Sequence, residues 1–415
     1  MEIAVTELLF LVSLVLIWVS VLHALSLALA GAVLSRGPRA RPRWPSAPEG
    51  EWPSVTLLVP AHDEALVIER SLERYLALDY PRDRLRVVVV DDGSTDGTGE
   101  LCDRVAARDA RLTVVHVPPG EGGRGKPAAL NRALPLCGSE LVAVYDADNR
   151  PRADALRWLV ADWLAGGHAA AIGRIVKVNR RRRLLCRLSS LDFAAFEWSY
   201  QAGRARLYDV VLLPGTNYVI DAAVLRALGG WDPAALTEDL ELSVRLYCAG
   251  HRVSFVPEAV SEEQDPEQLR VWVRQRTRWL LGAYYVLFAR TGTILRSRRL
   301  RAYVVFWELF HLYGTFLLAL AVSQTLFWAG VAGLWRLDTA GPLPALWLAA
   351  LAVYVATLQV VEALELEDSW RTPLLAVLMY LVYSPLWLFV FARGLWLYLF
   401  RRRRVTWAKT PRTSP

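Results

Sequence analysis

This 415-residue sequence is poor in the residues that build disulfide scaffolds and thiolate metal sites. It has only four cysteines, and no two of them have CxxC spacing. We therefore expect ordinary reduced thiols in a cytoplasmic domain, rather than disulfides or zinc ligands. The four are Cys102, Cys137, Cys186 and Cys248.

Other common signatures are missing as well. No internal repeat and no low-complexity tract is visible. The glycine-rich residues 122–126 lack the spacing of the ATPase phosphate-binding loop, which disfavours an ATPase. The first hydrophobic stretch lacks the basic segment that precedes the apolar part of a secretory signal peptide, and it is too long for one. We therefore expect it to be retained.

Charge is nearly absent from long stretches at both ends of the chain. Residues 8–34, 302–335 and 341–361 predict transmembrane helices, since each is long enough to cross a bilayer. Many of the 17 tryptophans lie near the ends of these stretches, which is typical of membrane interfaces. A buried core helix is the alternative for any single stretch.

The net charge of +7 is concentrated beside the hydrophobic stretches, which argues against nucleic-acid binding. Arginines follow the first stretch in a Pro-rich linker at residues 35–52, precede the second at 296–301 and follow the last at 401–404. Basic residues flank spans on the cytoplasmic side. We predict a multi-pass plasma-membrane protein with an external N-terminus and a cytoplasmic middle domain.

The last hydrophobic stretch, residues 372–400, conflicts with this charge rule. If all three C-terminal stretches crossed the bilayer, the arginines at 401–404 would lie outside. Pro385 in mid-stretch and Arg393 near its end favour a broken or interfacial helix. The basic tail 401–415 is then expected in the cytoplasm.

The middle of the chain, residues 53–264, has the charge and loop residues of a water-soluble domain. Its apolar runs predict four buried strands separated by helical segments, an arrangement typical of a parallel α/β sheet. Residues 265–300 predict amphipathic helices at the membrane interface. The predicted strands are residues 55–59, 85–90, 112–117 and 141–145.

Paired carboxylates follow two of these strands. Asp91-Asp92 follow the second strand and Asp146-Ala147-Asp148 follow the fourth. Because ligands of such sheets bind beyond the carboxyl ends of the strands, these side chains are expected at one edge. The DxD geometry suits a hard divalent cation that also binds diphosphate oxygens. A solvated turn is the alternative for a DxD sequence alone.

The residues after the second and third strands offer contacts to a nucleotide. Asp91 and Asp92 would accept hydrogen bonds from a nucleobase and a ribose, and Gly93 permits close approach of the backbone. Capping of the next helix by Ser94 or Asp96 is the alternative. The basic loop that ends at Lys126 would reach a phosphate.

A third acidic group, Thr237-Glu238-Asp239, opens a predicted helix. One of its carboxylates would serve as the general base that deprotonates an acceptor hydroxyl. Helix capping by Thr237, with acids favoured by the helix dipole, explains the same residues equally well. Spacing does not decide between the two.

The segment Gln275-Arg276-Thr277-Arg278-Trp279 lies in a basic helix ahead of the second span. A solvated interfacial helix explains its arginines. The i, i+3, i+4 spacing of Gln275, Arg278 and Trp279 also gives one face an amide, a phosphate-binding guanidinium and a ring that stacks on sugars.

The ordered motifs VPAHDE, DDGS, GKPAALN, DAD, GTN, TED and QRTRW resemble those of the processive family-2 glycosyltransferases. This family includes cellulose, chitin, hyaluronan and poly-N-acetylglucosamine synthases. The resemblance covers about residues 54–279. It implies a GT-A fold, which is an α/β Rossmann-like nucleotide-sugar domain, here inserted between transmembrane helices. It also implies a UDP-sugar donor, Mg²⁺ or Mn²⁺, and inversion to a β-linkage.

The resemblance assigns roles to individual residues. Asp239 would be the catalytic base, which settles the alternatives that spacing leaves open. The tail segment with Trp407 and Arg412 resembles the gating segment of hyaluronan-type synthases. Metal binding would fall to Asp148 with Asp146. Nucleotide-sugar binding would fall to Asp91, Asp92, Lys126, Asp146, Gln275 and Arg278. Acceptor binding would fall to Gly215, Thr216, Asn217, Glu238 and Trp279.

Several functions remain open at this point. The leading one is a polymerising or oligomerising β-hexosyltransferase acting on a glycan, and the nearest rival makes a membrane glycolipid. No hydrophobic stretch follows the tail, so a long translocation channel would need a homo-oligomer. A transporter, with Glu308 and His311 as pathway residues, is disfavoured by the strand-end carboxylates. A nucleotide sensor without chemistry is disfavoured by Asp239.

Overall fold

The structure is a computed structural model that describes residues 5–36, 52–118, 120–334, 343–365 and 372–400. Its centre is an eight-stranded sheet with the order β3-β2-β1-β4-β7-β6-β8-β5. The strands are β1 Val55–Ala61, β2 Leu85–Asp91, β3 Leu112–His116, β4 Leu141–Val144, β5 Arg150–Pro151, β6 Ala170–Lys177, β7 Tyr218–Asp221 and β8 Val253–Glu263.

The four strands predicted from the sequence are confirmed, and they pair in parallel as expected. Val55 pairs with Leu85 of β2 on one side and with Leu141 of β4 on the other. These strands bury both faces because helices cover the sheet on each side. Along β1, Leu58 enters one core, while Leu57 and Val59 enter the other.

The sheet also contains strands that were not predicted, and these make it mixed, because β7 runs antiparallel to both of its neighbours and β5 runs antiparallel to β8. A parallel pair needs a crossover that returns the chain to the opposite edge of the sheet. The chain between β6 and β7 makes no such crossover. It packs along the N-terminal helix and re-enters the sheet at the end where β6 stopped, so β7 runs antiparallel to β6.

Helices surround the sheet and extend from it. On the sheet they are α2 Ile68–Leu76, α3 Thr98–Ala106, α4 Lys126–Ala133, α5 Ala155–Ala165, α8 Ala222–Ala227 and α9 Glu238–Cys248. Between β6 and β7 lie α6 Leu184–Ala195, the π-helical turn Phe196–Gly203 and α7 Arg204–Tyr208. The others are α1 Val5–Arg36, α10 Leu269–Ser297, α11 Leu300–Phe310, α12 Leu317–Val331, α13 Leu343–Leu364, α14 Thr372–Leu378 and α15 Ser384–Phe400.

Four helical segments are long and apolar enough to cross a membrane. They are Glu7–Val33, Leu300–Val331, Pro344–Leu364 and Thr372–Phe400, and they match the four predicted stretches. Two of them contain π-helical turns, at His311–Phe316 and Met379–Tyr383. The second turn directly precedes Ser384 and Pro385, so the helix changes its winding beside the proline and continues through it, and a broken or interfacial helix stays a prediction.

Within residues 265–300, Leu269–Ser297 form one long helix, α10, rather than several short ones. The interpretation of its arginines as solvated is wrong for Arg276, which is only 2% exposed. Ser189 accepts a hydrogen bond from the Arg276 guanidinium at 3.0 Å, and three tryptophan rings surround this group. Aromatic faces favour a guanidinium over an ammonium, and an Asp192 oxygen lies 3.8 Å from this group, while its Nε atom has no hydrogen-bond partner among the described residues.

The N-terminal helix α1 packs tightly against the π-helical turn Phe196–Gly203. A Cβ atom at Gly31 would lie 2.0 Å from the Trp198 carbonyl oxygen, and one at Gly203 would lie 2.3 Å from that of Leu27. Small residues permit such close approach of helices. His23 of α1 also contacts Glu308 of α11 at 2.8 Å. The first candidate span is therefore fixed both to the sheet domain and to the second span.

Candidate active site

The sheet changes its order beside β1, and this position determines where a ligand would bind. The chain moves outward from β1 to β2 and β3, then returns to place β4 on the other side of β1. A crevice forms at such a switch point, outside the carboxyl ends of the strands. A cavity of about 510 Å³ lies at this edge. Its ionisable and amide side chains include Asp92, Lys126, Asp146, Asp148, Glu238, Asp239, Glu263, Gln275 and Arg278.

Three carboxylates in this cavity form a cluster with the composition of a divalent-metal site. Asp146, Asp148 and Glu263 each offer an oxygen, and these atoms lie within 4.8 Å of one another. Hard oxygen donors are the ligands that Mg²⁺ and Mn²⁺ accept. The two predicted DxD residues are thus brought together, and the cluster fits a metal.

Glu263 was not predicted from the sequence. It ends β8, as Asp91 ends β2, so a strand-end carboxylate was the available signal. The strand was not predicted because Pro257 lies in the middle of β8, and a proline argues against a strand when only the sequence is considered. Asn149 holds Glu263 by a hydrogen bond of 3.2 Å, and the buried Lys177 ammonium donates to its other oxygen.

The backbone of the DxD loop is held by buried polar side chains. The Asp146 N–H donates to the Thr216 hydroxyl oxygen and to the Asn149 side-chain oxygen, each at 3.0 Å. The Tyr75 hydroxyl donates to the Asp146 carbonyl oxygen at 2.5 Å. These contacts fix the loop backbone, so the carboxylates are pre-positioned.

Lys126 begins α4 and lies between the DxD loop and the third acidic group. Its ammonium donates to Asp146 at 2.5 Å and to the Gly215 carbonyl oxygen at 2.6 Å, and it lies 3.6 Å from Glu238. Burial alone would lower the pKa of Lys126, but Asp146 and Glu238 outweigh it and raise that pKa well above its usual value. Lys126 therefore carries a permanent positive charge at the centre of the site.

The two aspartates that follow β2 have separate environments. Asp91 accepts a hydrogen bond from the Ser94 N–H at 3.0 Å and contacts His116 at 3.2 Å. Asp92 lines the cavity, and Gly123 of the basic loop donates to its backbone oxygen. Burial raises the pKa of the Asp92 carboxyl. Asp92 is thus placed for a ligand contact, while Asp91 shapes the loop.

The capping alternatives have different outcomes. The side chain of Asp96 accepts from the Thr98 N–H at 3.1 Å, but the N-cap position of α3 is Gly97, so Asp96 holds the start of this helix from one position before the cap. Thr237 precedes α9, but its side chain accepts no capping hydrogen bond. It packs instead against Gly282 of α10. Capping by Thr237 therefore does not explain the acidic group.

Asp239 lies in the first turn of α9 and lines the cavity beside Gly215. Its Oδ2 atom lies 2.8 Å from the position of a Cβ atom at Gly215, so a side chain there would displace it. Burial and the neighbouring Glu238 raise the pKa of Asp239 to about 7, against the opposing effect of Lys126. A carboxylate with this pKa is suited to accept a proton near neutral pH.

The face predicted for α10 is present at the cavity. Gln275, Arg278 and Trp279 all line it. Arg278 donates to the Leu236 carbonyl oxygen at 3.0 Å, which ties α10 to the turn before α9. The Gln275 side-chain oxygen is buried and accepts no hydrogen bond from the part of the chain that the structure describes. The Arg276 guanidinium lies 4.1 Å from the centre of the Trp279 ring and fixes its plane.

The three residues of the predicted acceptor loop lie in different environments. Gly215 lines the cavity, while Thr216 and Asn217 are 2% and 0% exposed. Thr216 bonds to the DxD loop as described, and Asn217 donates to the Ala259 carbonyl oxygen at 2.9 Å. The side chains of Thr216 and Asn217 therefore position the strands and loops around the cavity. Trp407 and Arg412, assigned to gating, lie outside the described residues, as does nearly all of the 35–52 linker.

The cavity continues from Asp239 into the bundle of candidate membrane helices. Residues of α1, α11, α12, α13 and the last helical segment line this part, and many are apolar. Glu308, considered above as a transport residue, also lines it, but Glu308 contacts His23 and joins two helices. The apolar and aromatic lining includes Val21, Leu312, Phe316, Leu320, Leu351 and Trp387.

Comparison with known proteins places this site in a family. Residues 53–282 match the family described as glycosyltransferase like family 2. Over 410 residues the chain is 32% identical to the probable glycosyltransferase YdaM of Bacillus subtilis, and the match covers 97% of each protein. A mannosyltransferase from Pyrobaculum calidifontis, solved with GDP-Man and Mn²⁺, has a TM-score of 0.56 and 24% identity over 87% of this chain and 99% of that one. This last likeness shows the fold alone and agrees with the predicted GT-A fold.

Other relatives match only the central part of the chain. Beta-monoglucosyldiacylglycerol synthase of Synechocystis is 32% identical over 234 residues, 56% of this chain and 48% of that protein. Poly-beta-1,6-N-acetyl-D-glucosamine synthase of Staphylococcus aureus is 24% identical over 258 residues, 62% of this chain and 61% of that protein. The chain thus spans about half to three fifths of these proteins. The family match and the near full-length similarity to YdaM show that the chain belongs to the family-2 glycosyltransferases.

Proposed function

We propose that this glycosyltransferase transfers a hexose from a nucleotide sugar to the hydroxyl of an acceptor that is anchored in the membrane by hydrocarbon. The observation that carries the proposal is the continuity of the cavity. One end holds Asp239 and the acidic cluster, and the other lies among apolar side chains of candidate membrane helices. A lipid, or a sugar carried by a lipid, would bury its chain there while its hydroxyl reached Asp239.

The residues support transfer with inversion in a single displacement. Asp239 would take the proton of the acceptor hydroxyl, and the oxygen would attack the anomeric carbon. The bond from that carbon to the diphosphate oxygen would break, and the nucleoside diphosphate would leave. Lys126 would attract the leaving phosphates, and Arg278 would hold them from α10. Trp279, with its plane fixed by Arg276, would stack on a sugar ring.

A divalent metal fits this site. Asp146, Asp148 and Glu263 would hold Mg²⁺ or Mn²⁺, which would neutralise charge on the leaving diphosphate. The acidic cluster and the Mn²⁺ in the solved mannosyltransferase support the proposal. A UDP-hexose is the donor we favour, with Asp92 near the nucleoside, because synthases of glucosyl and N-acetylglucosaminyl products are among the relatives.

A second candidate is a polymerising synthase that extends a glycan, as the sequence motifs imply. Aromatic rings along the membrane part of the cavity, including Trp347, Tyr380 and Trp387, favour it because sugars stack on such rings. Similarity to the poly-N-acetylglucosamine synthase supports it as well. The two candidates share the donor site and the base, and they differ in what fills the helical part.

The topology remains part of the proposal. A catalytic domain in the cytoplasm would meet the nucleotide sugars made there, and the charge clusters favour that side.

We also propose that the tail containing Trp407 and Arg412 closes over the donor site. Deletion of residues 405–415 would then lower kcat while leaving membrane insertion intact, because the deleted residues include no apolar stretch.

The deciding experiment combines product analysis with a variant that fills the cavity. Membranes containing the enzyme receive each UDP-sugar or GDP-mannose in turn, and lipid and polymer products are separated. Leu320→Trp would block the helical part of the cavity, whereas Leu318→Trp, at a 55% exposed position on the opposite face of α12, is the matched control. We expect a single glycolipid product, lost in Leu320→Trp and kept in Leu318→Trp.

Other outcomes would redirect the proposal. A product that grows in length indicates the polymerising candidate. Equal activity of the two tryptophan variants would show that no acceptor enters the helical part, and it would contradict both candidates as stated.

A further inference from the structure

A second cavity, of about 530 Å³, lies beside the active site and has a strongly basic wall. It is formed by the end of β6, the start of α6 and the C-terminal end of α13. Five arginines line it in the short stretch between residues 180 and 187. They are Arg180, Arg181, Arg182, Arg183 and Arg187.

Among the described residues, these arginines outnumber the carboxylates around them. Glu362 and Glu365 also line the cavity, but Glu365 already accepts hydrogen bonds from Arg174 and from Trp198, each at 2.8 Å. Arg182 pairs with Glu267 at 3.0 Å. Among the residues that the structure describes, neither Arg181 nor Arg187 has a carboxylate within ion-pair distance. Their positive charges are therefore available to an anion.

The backbone adds to the positive potential. Helix α6 begins at Leu184, and the side chain of its N-cap residue, Arg183, makes no capping hydrogen bond. The first N–H groups of a helix carry partial positive charge and favour anions. Arginine side chains and an uncapped helix start thus converge on one cavity, which is the composition of a phosphate site.

The position of the cavity identifies where its ligand comes from. Glu362 lies two residues from the end of the candidate span Pro344–Leu364, and Glu365 directly follows this span. The cavity is therefore at the level at which the hydrocarbon of a bilayer meets its headgroups. Leu184, which is 51% exposed, offers apolar surface beside the arginines. Phosphate groups next to hydrocarbon are a property of phospholipids rather than of free phosphate.

The basic cavity shares a wall with the active site. Ile175, Lys177 and Phe193 line both cavities. Lys177 lies 4.1 Å from the centre of the Phe193 ring and donates to Glu263 of the acidic cluster. A ligand in the basic cavity would therefore contact the side chains that hold Glu263 in place.

We propose that the basic cavity binds the headgroup phosphate of an anionic phospholipid from the adjacent leaflet. This lipid is neither the donor nor the acceptor, so its binding can be measured apart from the function proposed above, whereas its effect on activity rests on that function. Through Lys177 and Phe193 its occupancy stabilises the position of Glu263, and the enzyme is more active in membranes that contain anionic lipid.

The test uses the full-length protein in nanodiscs of phosphatidylcholine, alone or mixed with phosphatidylglycerol. Native mass spectrometry measures the retained phosphatidylglycerol, and this readout does not depend on activity. We expect Arg181→Gln/Arg187→Gln to bind this lipid about tenfold more weakly, since each basic residue near a membrane surface contributes to attraction of anionic lipid. Arg74→Gln/Arg104→Gln removes two exposed arginines from α2 and α3, away from this cavity, and should retain the lipid.

Further arms keep the result interpretable. Arg181→Lys/Arg187→Lys keeps the charge but loses the bidentate guanidinium, so retention should be intermediate and the fold unchanged. Inorganic phosphate is added to the wild type as a competitor. Equal retention by both glutamine variants would overturn the proposal. It would also be overturned if phosphate displaced the lipid as readily as phosphatidylglycerol itself, since the site would then take soluble anions.

Discussion

The carboxyl ends of β2 and β4 carry similar acidic sequences, yet the structure uses them differently. After β4, Asp146 and Asp148 both face the cavity and join Glu263 in one cluster. After β2, only Asp92 lines the cavity, while Asp91 is bonded to Ser94 and His116. Both aspartates after β4 therefore belong to the candidate site, whereas after β2 one aspartate belongs to it and the other holds the loop.

The position of the strands in the sheet explains the difference. Strand β4 lies beside β7, where neighbouring strands change direction, and its loop opens into the crevice. Strand β2 lies between β1 and β3, and the loop after it is covered by the glycine-rich segment. A Cβ atom at Gly93 would lie 3.2 Å from the Cα atom of Gly122. Equivalent sequence motifs therefore acquire different roles from strand order.

The largest loss of activity is expected from a change of Asp148, and a change of any residue after β2 should cost less. Asp148→Asn should lower kcat/KM by about a thousandfold, because it removes a charged ligand from the acidic cluster and several kcal/mol of charge stabilisation with it. Asp83→Asn, at an exposed position at the other end of β2, is the control and should be silent. Full activity of the wild type in excess chelator would contradict the metal assignment.

A smaller effect tests whether Glu263 belongs to the same cluster. Glu263→Asp keeps the charge that Lys177 needs but draws the carboxylate back from Asp146 and Asp148. We expect affinity for Mn²⁺, measured by electron paramagnetic resonance, to fall about tenfold while the protein stays folded. An unchanged Mn²⁺ affinity would restrict the site to the two aspartates.

Sequence reasoning recovered the parts of the fold that depend on local pattern. Four apolar strands and four hydrophobic stretches of membrane length were predicted and are present, while the roles given to Asp239 and to the face of α10 stay predictions. The failures share a physical cause, which is dependence on contacts distant in sequence. The antiparallel β7, the burial of Arg276 among tryptophans and the burial of Asn217 all follow from packing that no local window contains.

Glu263 is a different kind of omission. It is separated from Asp146 by more than a hundred residues, and only the pairing of β8 beside β6 and β5 brings it to the DxD loop. The acidic signal at the strand end was visible, but the strand was not recognised. The sequence therefore indicates the type of residue that a metal site needs more readily than it identifies the distant residue that completes the site.

The two aspartates after β2 should separate when each is changed alone. Asp92→Asn should weaken nucleotide binding about tenfold, which is measured by titration with UDP. Asp91→Asn should leave that affinity nearly unchanged and instead lower the free energy of unfolding by about 1 kcal/mol, because the contact of the Asp91 carboxylate with His116 is lost. If both variants weaken UDP binding equally, the two carboxylates share the nucleotide and the proposed division is wrong.

The smallest effect concerns the third acidic group, where two neighbouring carboxylates again differ in role. Because the pKa of Asp239 is about 7 and a base must be deprotonated to act, kcat/KM should fall about tenfold for each pH unit below this value. Glu238 contributes to that elevated pKa through its negative charge. Glu238→Gln should therefore move the acidic limb of the pH profile to lower pH, whatever its effect on the maximum rate.

Glu100→Gln, exposed on α3, is the matched control and should leave the limb in place. Membrane preparations of all three proteins are compared over the same pH range with the donor at low concentration, so that kcat/KM is measured. A limb that stays fixed in Glu238→Gln would mean that the titrating group is not Asp239. The first turn of α9 would then bind substrate without supplying the base, and the carboxylates after β4 would have to be examined for that role.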